Sequence, residues 1–223
     1  MGFNVAIDGP AGAGNSTVAK AAAAELSFVY VDTGAMYRAI GLYFLTHSID
    51  LEDEEACIAA LPEIQVTICY IDGGQHIFLN EEDVTRLIRT PEVSHAASKT
   101  SAYAGVRAKL LDLQRDMAEK NDVIMDGRDI GTAILPNAEL KIYLTASVGE
   151  RARRRYEEML ERGEDADITE IRREIEERDY RDSHREVSPL RKAEDAVEID
   201  SSDMSAGEVA GKIIDLVKER KNA

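Results

Sequence analysis

The chain has 223 residues, of which 44% are hydrophobic and 31% charged, and its formal net charge is −16 at pH 7. This balance is typical of a globular protein with one sizeable core, so we expect a single domain over residues 1–223. No apolar run is long enough to cross a bilayer, which argues against a membrane protein. The strong negative charge would repel a polyanion, so we expect no nucleic-acid partner.

The amino terminus and the cysteines indicate the compartment. Residues 2–5 lead directly into a strand-like run, without the basic and apolar regions of a secretion signal. Cys57 and Cys69 fit neither a disulfide framework nor a metal cluster. We therefore expect a cytoplasmic protein.

Apolar and β-branched runs predict five strands, separated by stretches with helical character. The predicted strands are 5–8, 28–32, 123–126, 140–145 and 196–200. The predicted helices are 16–26, 35–46 and 102–119, followed by two charged helices over 150–162 and 168–181 that meet near Gly163. Strands that alternate with helices predict an α/β fold with a parallel sheet flanked by helices.

Residues 64–80 interrupt this alternation. Every second residue from Ile64 to Tyr70 is apolar or aromatic, and the glycine-containing turn from Asp72 to Gln75 leads into a second strand-like run. Such a pattern predicts an antiparallel hairpin. We place it in a small insert over about residues 62–100.

A glycine-rich loop follows the first predicted strand and leads into a helix. It consists of Gly9, Pro10, Ala11, Gly12, Ala13, Gly14, Asn15, Ser16 and Thr17. Glycines allow backbone amides to converge on phosphate oxygens, and the positive end of the next helix strengthens the attraction. The context of strand, loop and helix predicts a P-loop that binds the phosphate groups of a nucleotide. The motif has lysine immediately before its serine, whereas this chain has Asn15.

Three further groups of polar residues follow predicted strands or lie on a predicted helix. Thr33, Tyr37 and Arg38 follow the second strand, and Asp126 to Asp129 end the third. The carboxyl ends of strands in such sheets border the ligand crevice. Arg178, Arg181 and Arg185 are spaced by three and four residues, and they share one face if the segment is helical, which favours phosphate binding.

Together these segments resemble bacterial cytidylate kinases, which are nucleoside monophosphate kinases. The resemblance rests on the loop, on residues 32–38 (Asp-Thr-Gly-Ala-Met-Tyr-Arg), on residues 88–93 (Ile-Arg-Thr-Pro-Glu-Val), on residues 126–129 (Asp-Gly-Arg-Asp) and on residues 178–179 (Arg-Asp). It implies a P-loop NTPase-type five-stranded sheet with a helical lid over about residues 151–163. It also implies transfer of the γ-phosphoryl group of ATP to CMP or dCMP with Mg²⁺, by a monomer.

The resemblance further implies the roles of individual residues. Ser98, Arg107 and Asp129 would contact the base of CMP, and Asp182 would contact its ribose. Arg38, Arg128 and Arg185 would bind its phosphate, in a pocket also lined by Thr33 and Tyr37. Catalytic roles fall to Asn15 and to a set of arginines: Arg128, Arg151, Arg155, Arg178 and Arg181. The loop over residues 9–17 would bind ATP, Ser16 would contact the Mg²⁺, and Asp126 would help to hold the metal through water.

Two alternatives remain beside an active kinase. The first is a binding-only form of the same fold, natural or engineered, because the amide of Asn15 cannot supply the charge of a lysine. The second is an unrelated P-loop protein such as a regulatory GTPase. The chain lacks the Asn/Thr-Lys-x-Asp motif that reads guanine in such proteins, which argues against the second alternative.

Overall fold

The computed structural model describes residues 2–222 of the chain. The fold divides into two compact units. One, which we call the sheet unit, combines the chain up to Tyr30 with the chain from Asn121 onward. The other, which we call the insert unit, is Val31–Lys120. Among the helices of residues 2–222, none has both the length and the apolar character needed to cross a membrane.

The predicted strands and helices are present in the predicted order, with boundaries shifted by at most three residues, alongside elements that were not predicted. The strands are β1 (Asn4–Asp8), β2 (Val29–Asp32), β3 (Val66–Ile71), β4 (Gly74–Leu79), β5 (Glu82–Asp83), β6 (Val123–Gly127), β7 (Leu140–Thr145) and β8 (Val197–Asp200). The α-helices are α1 (Asn15–Leu26), α2 (Thr33–Thr46), α3 (Glu54–Ala60), α4 (Pro91–Thr100), α5 (Ala104–Lys120), α6 (Val148–Glu161), α7 (Ile168–His184) and α8 (Ala206–Lys221).

The larger sheet has the strand order β2-β6-β1-β7-β8, and β1 pairs in parallel with both β6 and β7. The predicted five-stranded parallel sheet is therefore confirmed. Val5, Ala6 and Ile7 of β1 have no exposed surface, as expected for a central strand covered on both faces. Asp8 is in register with Gly127, so the glycine loop after β1 and the charged residues after β6 begin at the same edge of the sheet.

Two apolar clusters stabilise the sheet unit. In the larger cluster, α1 and α8 pack on the sheet through residues such as Val18, Ile142 and Ile213. The smaller cluster lies between α6 and α7 and is built from Ala152, Ile171 and Ile175. The two charged helices thus have a small core of their own. They are separated where the sequence predicts, because Gly163 adopts a positive φ of 73° just beyond α6.

The insert unit contains the predicted antiparallel hairpin. β3 pairs with β4, and the connecting residues Asp72 and Gly73 both have positive φ, of 51° and 76°. Asp-Gly in this conformation is a favoured two-residue hairpin turn. The short strand β5 pairs with β4 to complete a three-stranded sheet.

Helix α4 was not predicted from the sequence. It begins at Pro91 after Thr90, whose hydroxyl accepts a hydrogen bond from the amide of Val93 at 3.3 Å. Its buried residues are mostly small, among them Ala96, Ala97 and Thr100. Val93 is its only large apolar residue, and the helix has ten residues, so few large hydrophobic side chains mark it in the sequence.

Candidate active site

The glycine loop has the conformation that a phosphate cradle requires. Gly12 and Gly14 have positive φ of 79° and 95°, which residues with a Cβ rarely adopt. A Cβ at Gly9 would lie 2.1 Å from the carbonyl oxygen of Leu144, so only glycine fits there. Gly14 is the N-cap of α1, and within residues 2–222 no side chain caps that helix end. Its first amides therefore suit an anion such as a phosphate group.

Asn15 is turned inward at the base of this loop. It is 6% exposed, and its Nδ2 donates a hydrogen bond to the carbonyl oxygen of Gly9 at 3.3 Å. Its Oδ1 has no hydrogen-bond partner within the part of the chain that the structure describes. The residue that replaces the expected lysine therefore contributes a neutral amide that binds the loop itself.

Ser16 lies beside a carboxylate at the sheet edge. Its Oγ donates to Oδ2 of Asp126 at 2.8 Å, and the hydroxyl of Tyr30 donates to Oδ1 of Asp126 at 2.8 Å. A hydroxyl and a carboxylate are oxygen ligands of the kind that Mg²⁺ prefers, and that ion usually keeps several waters. The residues present therefore fit magnesium bound together with a nucleotide.

Arg151 connects the loop to both charged helices. It is 4% exposed, and its guanidinium donates to the carbonyl oxygens of Ala11 and Ala146, each at 2.9 Å. Its Nη2 forms an ion pair with Oδ2 of Asp179 on α7 at 2.6 Å. A Cβ at Gly12 would lie 3.4 Å from the Cβ of Arg151. The side chain of Arg151 thus holds the backbone of the loop in place. The resemblance implies a different role, in which this arginine closes over ATP.

The residues after β6 form two ion pairs with α7 and the residue that follows it. Nε of Arg128 donates to Oδ2 of Asp182 at 2.9 Å, and Nη2 of Arg185 donates to Oδ1 of Asp129 at 3.1 Å. Nε of Arg178 lies 4.0 Å from the same oxygen of Asp182. Asp129 and Asp182 are both buried. The structure therefore brings together five predicted site residues from distant parts of the sequence.

The three arginines predicted to share a helix face do not all lie on the helix. Arg178 and Arg181 belong to α7, but the helix ends at His184 and Arg185 has an extended backbone with ψ of 144°. Nε of Arg185 donates to the carbonyl oxygen of Ser188 at 2.7 Å, which directs its side chain away from the helix. Arg181 and Arg155 are exposed on α7 and α6.

Asp8 is a polar residue of this region that the sequence analysis missed. It is 4% exposed, and its carboxylate accepts hydrogen bonds from the amides of Ile130 and Gly131 at 2.7 and 2.8 Å. Burial raises the pKa of Asp8 to about 7, although these two amides and Arg128 oppose the shift. Asp8 thus anchors the backbone just after Asp129. A charged residue between an apolar strand and a glycine loop is the signal that could have found it.

The remaining predicted residues lie in the insert unit. Thr33, Tyr37 and Arg38 are on α2, where Asp32 is the N-cap and accepts from the amide of Ala35 at 2.8 Å. The guanidinium of Arg107 on α5 lies 5.7 Å from the ring centroid of Tyr37, a cation–π distance.

Ser98 on α4 has a buried hydroxyl. Its Oγ finds no hydrogen-bond partner in residues 2–222. A buried hydroxyl without a partner costs free energy unless a ligand or water satisfies it. Ser98 is therefore suited to contact a bound molecule.

Comparison with known proteins agrees with this geometry. A solved structure of an uncharacterized protein from Eubacterium ventriosum superposes with a TM-score of 0.55 at 13% identity, covering 97% of this chain and 98% of that one. That similarity concerns the fold alone. The parallel sheet, the glycine loop and the start of α1, which no side chain of residues 2–222 caps, define a protein with the P-loop fold.

The sequence comparisons identify the family. The sequence model of the cytidylate kinase family matches residues 5–219. A cytidylate kinase of Carboxydothermus hydrogenoformans is 51% identical over 220 residues, covering 99% of each chain. One of Bacillus subtilis is 50% identical over 218 residues, covering 98% of this chain and 97% of that protein. The chain belongs to the cytidylate kinase family.

Proposed function

We propose that this chain transfers the γ-phosphoryl group of ATP to CMP or dCMP, and that it does so slowly because Asn15 replaces the lysine of the P-loop. The observation that carries the proposal is the conformation of residues 9–17, in which two glycines with positive φ precede a helix end without a side-chain cap. That shape binds phosphate groups through backbone amides. It does not depend on the missing lysine.

The metal that accompanies ATP is assigned to Ser16, with Asp126 acting through water. Their mutual hydrogen bond of 2.8 Å supports this role because it places two oxygen atoms together at the start of α1. Bound with ATP, magnesium would neutralise charge on the phosphate oxygens. Ser16 and Asp126 would orient it, and the amides of the loop would orient the phosphates.

The binding of the acceptor nucleotide is assigned to the residues that the resemblance names. Asp129, Arg107 and Ser98 would contact cytosine, because a carboxylate accepts from its exocyclic amine, where uracil presents another acceptor. Asp182 would contact the ribose.

The phosphate of the acceptor would bind Arg38, Arg128 and Arg185, and Thr33 and Tyr37 would line the same pocket. The ion pairs of Arg128 with Asp182 and of Arg185 with Asp129 support this assignment, because they hold the two guanidinium groups in fixed positions.

Stabilisation of the transition state is assigned to arginines, whose positive charges would offset the negative charge of the phosphoryl group during transfer. Arg151 already lies at the loop, through its bond to Ala11. Arg155 lies on α6, in the lid that we propose over about residues 151–163, and Arg178 and Arg181 lie on α7. Closure would exclude water and limit hydrolysis of ATP.

We further propose that the protein is a cytoplasmic monomer. Its cysteines, which form no disulfide in residues 2–222, are consistent with a reducing compartment.

A coupled assay of ADP release tests the proposal. With ATP, Mg²⁺ and the full-length protein, CMP and dCMP should each release ADP above the rate without acceptor, whereas UMP and AMP should be poorer acceptors. If no nucleoside monophosphate raises the rate, the protein is not a kinase in this form. CMP binding without turnover would instead favour the binding-only alternative, for which the bond between Asn15 and Gly9 is the supporting observation.

A further inference from the structure

A carboxylate on β1 caps a helical turn that follows β6. Residues Ile130–Ile134 form this turn, and Asp129 is its N-cap residue. Oδ1 of Asp8 accepts from the amide of Ile130 at 2.7 Å, and Oδ2 of Asp8 accepts from the amide of Gly131 at 2.8 Å. The first amides of a helical turn have no partner within the turn, so Asp8 satisfies the two that come first.

Asp129, the residue in the N-cap position, does not cap the turn. An aspartate at an N-cap commonly accepts from the amides of its own helix through its side chain. Within residues 2–222, the side chain of Asp129 makes no such bond, and its Oδ1 accepts from Nη2 of Arg185 at 3.1 Å. Because Asp8 caps the turn, the carboxylate of Asp129 can serve contacts outside it.

The turn is also held from β7. A Cβ at Gly131 would lie 3.1 Å from Cδ of Lys141, which is tighter than an ordinary contact. Lys141 is 8% exposed, and its Nζ forms an ion pair with Oδ2 of Asp195 at 2.8 Å. The aliphatic part of Lys141 therefore covers Gly131, next to a carboxylate of Asp8 that is itself buried. Hydrogen bonds in such surroundings are electrostatically stronger than in water, so the position of the turn is well defined.

We propose that Asp8 is a positioning residue for selection of the acceptor base: it caps the turn in place of Asp129, and so holds the carboxylate of Asp129 in the orientation that accepts from the exocyclic amine of cytosine. The inference rests on the proposed function, because it takes Asp129 to contact the base. Asp8 touches no substrate in this role and acts through the backbone just after Asp129.

Removal of one oxygen of Asp8 should redirect Asp129. A buried amide without an acceptor costs free energy, and the N-cap side chain is the group best placed to satisfy it. Asp129 would then turn toward the amides of Ile130 and Gly131 and away from the base. The affinity for CMP relative to UMP should fall, because the carboxylate that distinguishes the two bases no longer faces them.

Calorimetry with CMP and UMP on the full-length protein tests this inference. Burial raises the pKa of Asp8 to about 7, so the titrations are done at about pH 8.5, where Asp8 is ionised. Asp8→Asn keeps the size of the side chain but replaces one acceptor oxygen with a donor group, so it can accept from only one of the two amides. The preference for CMP, at least about tenfold in the wild type, should fall to about twofold or less.

Asp122→Asn is the matched control. Asp122 also accepts from a distant backbone amide, that of Phe3 at 2.7 Å, but it lies just before β6, at the end of the strand opposite Asp129. Its replacement should leave the ratio of CMP to UMP affinity at the wild-type level. A general loss of stability would weaken the binding of both nucleotides and would leave their ratio unchanged.

A double-mutant cycle shows whether Asp8 acts through Asp129. In Asp129→Asn the carboxylate that contacts the base is already absent, so the further change Asp8→Asn should not alter the CMP to UMP ratio. A further fall in the ratio would mean that Asp8 affects the base by another route, and would overturn the inference.

An Asp8→Asn protein that keeps the wild-type ratio also overturns the inference, whether or not both affinities fall. If Asp8→Asn does not fold, Asp8→Ser, which is shorter and has a single oxygen, takes its place, and a wild-type ratio in that variant has the same meaning. Equal affinities of the wild type for CMP and UMP would instead overturn the assignment of Asp129 in the proposed function.

Discussion

The side-chain amide of Asn15 donates a hydrogen bond to the carbonyl oxygen of Gly9, six residues earlier in the same loop. This hydrogen bond joins the two ends of the glycine-rich segment, and neither of its partners is charged. A lysine at this position would carry an ammonium group on a longer side chain, which could reach a phosphoryl group during transfer. The shorter amide of Asn15 instead binds the backbone of the loop. A P-loop usually combines a backbone shape that binds phosphate with a lysine charge that promotes its transfer. This loop keeps the shape and lacks the charge.

Replacing Arg151 should destabilise the protein far more than replacing its neighbour Arg153. Arg151→Met removes the buried partner of Asp179 and two hydrogen bonds to carbonyl oxygens, so we expect a loss of about 3 kcal/mol in the free energy of unfolding. Arg153 is exposed and pairs with Glu150 and Glu157 in solvent, so Arg153→Met should cost much less than Arg151→Met. Urea unfolding of both variants measures the difference. Equal losses would show that Arg151 does not support the loop.

Asp8 should make stability depend on pH in an unusual direction. Its pKa rises from 3.8 to about 7 in the folded protein, mainly by burial, so between these values the folded state binds the proton more tightly than the unfolded state. The contribution of Asp8 to stability is complete below about pH 4 and is lost as the pH rises through 7. Relative to Asp8→Asn, the wild type should therefore lose stability over this interval, by at most about 1.4 kcal/mol per pH unit.

Urea unfolding of the wild type and Asp8→Asn at several pH values measures this effect. The comparison subtracts the pH dependence that the other acidic residues give to both proteins. A stability difference that stays constant between pH 4 and pH 7 would mean that Asp8 is ionised throughout. The two amide hydrogen bonds from Ile130 and Gly131 would then outweigh burial.

Cytosine should be preferred over uracil in the acceptor site. Asp129 is buried and ionically paired with Arg185, so it is held as a hydrogen-bond acceptor, and uracil offers another acceptor in place of the cytosine amine. We expect CMP to bind at least about tenfold more tightly than UMP, since an unpaired buried polar group costs more than 1 kcal/mol. Titration of both nucleotides by calorimetry gives the ratio. Equal affinities would remove Asp129 from the base-binding site.

Much of the fold could be predicted from the sequence because its signals are local. Residues 5–7 of β1 and 123–125 of β6 are continuously apolar since both faces of the sheet are covered, and the Asp-Gly turn requires positive φ. Helix α4 was not predicted, because it is short and Val93 is its only large apolar residue. Its clearest signals are the capping hydroxyl of Thr90 and Pro91 at its first position, which are local but short.

The site was predicted less completely because its partners are distant in the sequence. Asp8 bonds to residues more than 120 positions later, and Asp32 binds Arg89 from 57 positions away. The motif residues themselves could be named from the resemblance. Two contacts of the loop depend on side-chain packing that no motif describes. Arg151 donates to the backbone of the loop, and Asn15 donates to Gly9.

The central claim is that Asn15 limits catalysis and not nucleotide binding. Its most direct test is the kcat of the wild type and of Asn15→Lys with CMP, at saturating ATP and Mg²⁺, with Asn137→Lys as a control that adds the same charge at an exposed site. Loss of one preorganised donor costs on the order of 10²- to 10³-fold in turnover. We therefore predict that Asn15→Lys gains at least about a hundredfold in kcat while its CMP affinity and the kcat of Asn137→Lys stay at the wild-type level. Similar kcat values for the wild type and Asn15→Lys would contradict the account, and would mean that another cation, such as Arg151 or Arg155, performs the role of the lysine.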